Sequence, residues 1–178
     1  FEVKKDKETS YKTVTEDYVN KTMGTEQGVL GLFATTDERD KIISFVVEIY
    51  NDYLAFSNHT KNQASKNFKS VIPQIAEGNL NNIEIDVQIA KDKKIEQNDN
   101  TFAVYTVIDV KPENDKEFAE IIKNIAETTF NEEGTLVVYL GTDRRNFNKW
   151  CLFEVYKDID SYLNHRSAKY FKDYITQT

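Results

Sequence analysis

The chain holds two histidines, His59 and His165, 106 residues apart. Imidazole is the side chain whose ordinary pKa lies closest to neutral pH, so each is a candidate proton acceptor. They occupy the same place in a repeat. With residues 25–60 set over residues 131–166 without a gap, 11 of 36 positions are identical. Gly28 meets Gly134, the Thr36, Asp37 and Arg39 set meets Thr142, Asp143 and Arg145, and Glu48, Tyr50 and Asp52 meet Glu154, Tyr156 and Asp158. Asn58 and His59 meet Asn164 and His165. Tyr156, and Tyr170 five residues past His165, can donate a hydrogen bond to a substrate oxygen, because a buried phenol must find a partner. Glu154 stands in an otherwise apolar run, where a carboxyl needs a hydrogen-bond partner or a raised pKa. Trp150 can wall a cavity, and Asn164 lies beside His165. Each also has an ordinary reading: a surface histidine, a core aromatic, a structural bond common to Glu48 and Glu154. Asp143 with Arg145, and Asp37 with Arg39, fall between strands, where stabilising a turn is the usual role.

Other chemistries find no residues to carry them. The sequence has no Gly-rich phosphate loop, no Ser-His-Asp arrangement and no metal-ligand spacing, so neither a metal nor a bound cofactor is expected. Cys151 is the sole cysteine and permits no intramolecular disulfide. Its plain reading is a small buried apolar residue. The net charge of −7 divides as −2 over residues 1–95 (13 Lys+Arg, 15 Asp+Glu) and −5 over residues 96–178 (10 against 15). An acidic chain without a basic cluster is not built to neutralise phosphates, so nucleic acid is excluded as the expected partner. No apolar run approaches the roughly 20 residues of a membrane span, and no charged-then-apolar leader opens the chain. The expectation is a cytoplasmic protein with no membrane partner.

The elements that must position these residues follow from periodicity. Residues 102–110 alternate and are rich in Val, Ile and Tyr, predicting a strand that Pro112 stops. Phe118, Ile121, Ile122, Ile125 and Ala126 keep the helical period, with Asn114 or Asp115 as cap. Residues 131–134 break that helix. Residues 135–140 and 149–156 predict two strands about a turn, and 159–174 a second helix. The first copy repeats this order from Tyr11, with a helix over 51–71 and an alternating 83–89 segment expected to close its sheet. Its own first strand is reduced to residues 1–4. Residues 90–101 are polar and read as the linker, so the predicted units are 1–95 and 96–178. A β-α-β-β-α order makes a split βαβ sheet with helices on one face, whose other face must be covered. Both faces of strands 46–50 and 152–156 are bulky, so two such sheets within one chain can bury each other as a covalent pseudo-dimer.

Residues 131–174 resemble the antibiotic-biosynthesis-monooxygenase family. The resemblance rests on Glu133 before Gly134, the strand Leu152-Phe153-Glu154-Val155-Tyr156, Asp158, and a helix carrying His165 and then Phe171. The first copy matches more loosely through Gly28, Glu48, Tyr50, Asp52, His59 and Phe68, with three extra residues between its His and Phe. The resemblance implies an α+β fold of two tandem ferredoxin-like units packed sheet to sheet as a dimeric α+β barrel within one chain. It implies a cofactor-independent monooxygenase acting on a small hydrophobic, aromatic or quinol-like compound. His165 would be the base, assisted by Tyr156 and Tyr170, with Trp150, Glu154, Asn164, Phe171 and His59 as substrate contacts. A base that takes a phenolic proton leaves an electron-rich anion able to react with oxygen. Many members carry a second His five residues after the first; Tyr170 stands there instead. No His follows Phe171 or Phe68, which disfavours haem degradation. The alternatives are a non-catalytic small-molecule-binding or structural pseudo-dimer and an isomerase of a small carbonyl compound. The chain is expected to be a monomer, its barrel partner already attached, or at most a weak homo-oligomer, with the better pocket in the second copy.

Overall fold

The computed structural model describes residues 1–37, 43–77, 82–93, 98 and 100–177. The fold is α+β and divides into two compact units, Phe1–Asn81 and Asn82–Thr178.

In the second unit, four antiparallel strands run in the order β5 (Ile85–Asp92), β7 (Thr135–Asp143), β8 (Asn146–Tyr156), β6 (Phe102–Asp109). Between β6 and β7 lies α4 (Asp115–Phe130); after β8 come α5 (Ile159–Ser167) and α6 (Lys169–Gln177). α4 forms because its apolar positions keep one stripe, burying Phe118, Ile122, Ile125, Ala126 and Thr129, while Asp115 and Glu117 meet the positive end of the helix. That stripe packs on Val138, Leu140, Trp150 and Leu152. Alternation along β8 then puts Glu154 and Tyr156 on the same face as Trp150 and Leu152, under the helices.

In the first unit, β2 (Val29–Thr36) and β3 (Ser44–Tyr50) form a hairpin, and β1 (Glu2–Val3) pairs with β4 (Ala76–Glu77). A bridge from Glu2 to Ile43 links the two pairs, beside hydrogen bonds between Phe1 and Ser44. Helix α1 (Glu8–Thr25) precedes the hairpin, and α2 (Tyr53–His59) and α3 (Gln63–Ile75) follow it.

Three expectations are corrected. The alternating segment near 83–89 does not close the first sheet: as β5 it pairs with β7, from Ile85 opposite Asp143 to Asp92 opposite Val137. The Tyr139 hydroxyl donates to Asp92 at 3.0 Å, Lys91 pairs with Glu127, and the Lys93 ammonium donates to the carbonyls of Glu132 and Thr135 at 3.0 and 2.6 Å. Residues 85–93 are thus held by the second unit, so the unit boundary lies ahead of them; the expected boundary at 95/96 lies outside the described residues. Secondly, each long second helix is two helices. Asn62 accepts from Ala64 N at 3.1 Å and starts α3 anew, and Ala168 takes an extended ψ of 140° between α5 and α6. Thirdly, the second hairpin is tighter than expected, with Asp143 opposite Asn146 and the Asp143 carboxylate accepting from Arg145 N at 2.8 Å. That is a turn role for Asp143. Arg39, its partner repeat's arginine, lies outside the described residues.

Candidate active site

The loop at the end of α4 has to approach α5 closely, and glycine lets it. A Cβ on Gly134 would run into Ser161, and one on Gly28 would stand 2.5 Å from the Ala55 Cβ. With no side chain there, Gly134 O accepts from Lys157 N, and Gly28 O from Asn51 N, both at 2.9 Å. Asp158 caps α5, accepting from Ser161 N at 2.8 Å and Ser161 Oγ at 2.6 Å. These contacts bring Glu132 of the loop to His165 of the helix.

His165 is buried, 1% exposed. Its Nδ1 lies 3.2 Å from Glu132 Oε2 and 3.0 Å from the Tyr170 hydroxyl, which itself donates to Glu132 Oε1 at 2.7 Å. The break at Ala168 folds α6 back so that Tyr170 can reach this pair, and Thr129 Oγ1 adds a contact to the Tyr170 hydroxyl at 3.2 Å. An ionised carboxylate only accepts, so Nδ1 carries the proton and Nε2 the lone pair. Among the described residues nothing hydrogen-bonds Nε2. Burial holds the His165 pKa below the ordinary imidazole value, against the opposing charge of Glu132. The ring is therefore neutral at pH 7 and presents a basic nitrogen. Phe171 and Tyr156 flank it, with ring centres 4.4 and 5.5 Å away.

Two residues before Tyr156 on β8, Glu154 is 4% exposed, and burial pushes its carboxyl up to about 7, with the Tyr156 phenol opposing and Glu132 adding to the rise. The Tyr156 hydroxyl is buried without a well-formed hydrogen bond, and burial together with Glu154 raises its pKa above the ordinary phenol value.

The first unit builds the same set and finishes it differently. His59, also 1% exposed, meets Glu26 Oε2 through Nδ1 at 3.1 Å. The Tyr50 hydroxyl donates to Glu48 Oε2 at 2.6 Å. A further phenol, Tyr18 from α1, donates to Glu48 Oε1 at 2.5 Å and lies 2.7 Å from His59 Nε2.

Of the expected site residues, His165, Tyr156, Tyr170, Phe171 and Glu154 come together. His59 stands in its own closed cluster. Trp150 is core: it packs edge-on against Phe118, and its indole N–H donates to Asp115 at 3.0 Å. Asn164 lines an open cleft of about 460 Å³ that reaches His165 and also touches Glu132, Lys157 and Ser161. The matching cleft of the first unit, about 320 Å³, is lined by Glu26, Asn51, Asp52 and Asn58 among others, but not by His59. Two residues that touch the histidines are absent from the expected set. Glu132, not the exposed Glu133, meets His165, and the identity of Glu26 with Glu132 in the repeat was the available signal. Tyr18 left no such signal, because its counterpart is not a tyrosine. Among the described residues no group of three or more His, Cys, Asp or Glu is placed to hold a metal ion, and no helix is long and apolar enough to cross a membrane.

Comparison with known proteins bears on the same region. The family model described as antibiotic biosynthesis monooxygenase matches residues 101–177. A solved structure from Fusobacterium nucleatum subsp. nucleatum, described as a "Putative monooxygenase", is 92% identical, with a TM-score of 0.97 over 100% of this chain and 82% of that one. A second so described, from Lactobacillus acidophilus NCFM, is 21% identical with a TM-score of 0.89, over 99% of this chain and 82% of that one, and shows likeness of fold. No curated protein matches.

Proposed function

The chain belongs to the antibiotic-biosynthesis-monooxygenase family, and from that premise we propose that it is a monooxygenase acting in its second unit on a small phenolic or quinol-like compound. The observation that carries this reading is the buried Glu132–His165 pair, with the imidazole neutral, Nδ1 held by a carboxylate and Nε2 left as a base between aromatic rings. The substrate O–H proton passes to Nε2, and Glu132 stabilises the imidazolium through Nδ1–H. The electron-rich anion then reacts with oxygen. For a ring that carries a CH₂ conjugated with the phenolate, oxidation to a carbonyl balances as one O₂ consumed, one oxygen atom retained and one water released. The substrate supplies all four electrons, so the step draws on no added reductant or cofactor. Tyr170 keeps Glu132 aimed at the ring.

A different observation favours a non-catalytic role for the first unit: Tyr18 occupies the nitrogen that would act as base. A carbonyl isomerase is less well supported, because among the described residues the cleft at His165 has one cationic side chain, Lys157, to receive a polar or phosphorylated substrate. The same proposal has the chain acting as a monomer in the cytoplasm, where Cys151 stays a thiol. The test is oxygen uptake by the purified chain against a series of quinols and phenols with an adjacent CH₂, with product mass under ¹⁸O₂. Uptake with one labelled oxygen in the product, lost in His165→Asn, is expected. No uptake across the series, or uptake unchanged by that substitution, would overturn the reading.

A further inference from the structure

The two units differ at one place beside the shared histidine. The buried stripe of α1 carries Tyr11, Thr15, Tyr18 and Thr22, and that of α4 carries Phe118, Ile122, Ile125 and Thr129. Ala126 also lies on the buried stripe of α4; with it set aside the spacing is the same, one residue off the 106-residue repeat, and puts Tyr18 level with Ile125, a shorter side chain with no hydroxyl. In the first unit that phenol shows how such a ring sits on this set of groups. Its oxygen lies between Glu48 Oε1 and His59 Nε2, at 2.5 and 2.7 Å, and its ring stacks on Phe68 at 4.2 Å with the planes 10° apart.

The second unit keeps the receiving groups and lacks the phenol. Glu154 stands for Glu48, His165 for His59, and Phe171 for Phe68. No second phenol reaches Glu154 among the described residues, and the Tyr156 hydroxyl, whose counterpart Tyr50 bonds Glu48, is buried without a well-formed hydrogen bond although it lies against Glu154. An oxygen placed between the Glu154 carboxyl and Nε2 would therefore meet a nitrogen that no described residue hydrogen-bonds and a carboxyl with only the Tyr156 phenol against it, while an open cleft reaches His165 from the side of Glu132 and Asn164.

We propose that the second unit takes the hydroxyl of a free phenol between Nε2 of His165 and Glu154, in the pose Tyr18 adopts in the first unit, and that Tyr18 is a built-in plug closing the first site. The inference rests on the choice of His165 as base made above and names the substrate class that the base receives. Binding is a hydrogen bond from the phenol O–H to Nε2 with Glu154 on the other side of the oxygen; when the proton moves, the O–H bond is replaced by N–H on Nε2 and no electrons are transferred.

The probe is 4-methylphenol, the tyrosine side chain as a free molecule, titrated onto the full chain by calorimetry and by ¹⁵N resonances of the imidazoles. The chain has two histidines, so each unit reports separately once His165→Asn assigns the signals. One equivalent should bind and move the His165 resonances alone, and 4-methylanisole, which offers no proton, should bind about tenfold more weakly or worse. Ile125→Tyr should plug the second site and weaken binding by at least about tenfold. Tyr18→Ala should unplug the first, adding a second equivalent that moves His59. Should Tyr18→Ala not fold, the parent stoichiometry and Ile125→Tyr decide. Should Ile125→Tyr not fold, the 4-methylanisole comparison and the site of the shift decide. Equal binding of the two probes, or shifts at neither imidazole, would overturn the proposal. Binding at His165 with no oxygen uptake from any phenol would instead sink the monooxygenase reading and leave this site standing. Uptake from a substrate without a hydroxyl, with no 4-methylphenol bound, would do the reverse.

Discussion

Both units carry a buried histidine against a loop glutamate, a strand Glu-x-Tyr and a helix capped by Asp, yet the phenols arrive from different sides. In the first, Glu26 takes Nδ1 and Tyr18 takes Nε2, so both ring nitrogens of His59 are engaged. In the second, Glu132 and Tyr170 both gather at Nδ1, and Nε2 of His165 is left over. Burial, helix and carboxylate partner are the same in the two, so none of these separates a structural histidine from a reactive one. What separates them is which nitrogen the neighbours consume.

The strongest way to break this comparison is to remove each imidazole in turn. His165→Asn should lower turnover by about 10³-fold, within the span usual for a general base, while His59→Asn should leave it unchanged. Steady-state oxygen uptake on the same substrate checks both. Equal losses would mean that the first unit also works and that Tyr18 moves aside.

Glu154 sharpens the contrast through stability. Its pKa rises from 4.5 in the unfolded reference to about 7 in the fold. Between those values the folded protein binds the extra proton, so this group's contribution is fully present below about pH 4.5 and is lost as pH rises through about 7. The loss amounts to about 3 kcal/mol. Glu154→Gln, compared with the parent by urea unfolding at pH 5 and pH 8, should therefore gain about 3 kcal/mol relative to it across that interval. A difference that does not change with pH would show that the carboxyl is ionised throughout.

A smaller effect is expected at the loop glutamates. Glu132→Gln should cost about 10- to 100-fold in kcat/KM, as loss of a carboxylate that orients an imidazole does, and Glu26→Gln should cost nothing in activity. The pH profile gives the sign. Activity needs the neutral ring, so it falls as pH drops through the pKa of His165, which lies below the ordinary imidazole value. Glu132 raises that pKa, so removing its charge should move the acid limb to still lower pH.

How much of this was legible depends on whether the determinant was local. The repeat alone picked out His165, Glu154 and Tyr156, and Asp158 as well, now seen as a cap, because identity at one offset survives only where a side chain has a fixed task. The resemblance added Phe171 but pointed to Glu133, since it specifies an acidic residue just before Gly134, while one turn of loop geometry decides that Glu132 faces inward. The break at Ala168 was invisible: alanine is a good helix former, and only the seating of Tyr170 and Phe171 against His165 explains it. The alternating segment 83–89 is extended from Ile85 yet belongs to the other sheet, because alternation states that a strand has two faces and not which strand it joins, and residues 90–92, read as linker, continue the same strand. Tyr18 escaped for the same reason, as nothing in its own segment says which histidine it will meet.

The smallest effect tests whether the exchange of phenols reaches into the helices behind them. Thr22 and Thr129 share a place on the stripes of α1 and α4, and both are fully buried. Thr129 Oγ1 meets the Tyr170 hydroxyl at 3.2 Å, whereas Thr22 Oγ1 has no hydrogen-bond partner among the described residues. Valine has the same shape as threonine without the hydroxyl. Thr129→Val should therefore destabilise by about 1 kcal/mol, the usual net worth of one hydrogen bond, and leave Tyr170 freer beside the base. Thr22→Val removes a buried hydroxyl that no partner compensates, so it should stabilise by about 1 kcal/mol. Urea midpoints of the two variants should move in opposite directions. Movement the same way would mean that the two helices are equivalent at this depth and that the units part company only at the ring nitrogens.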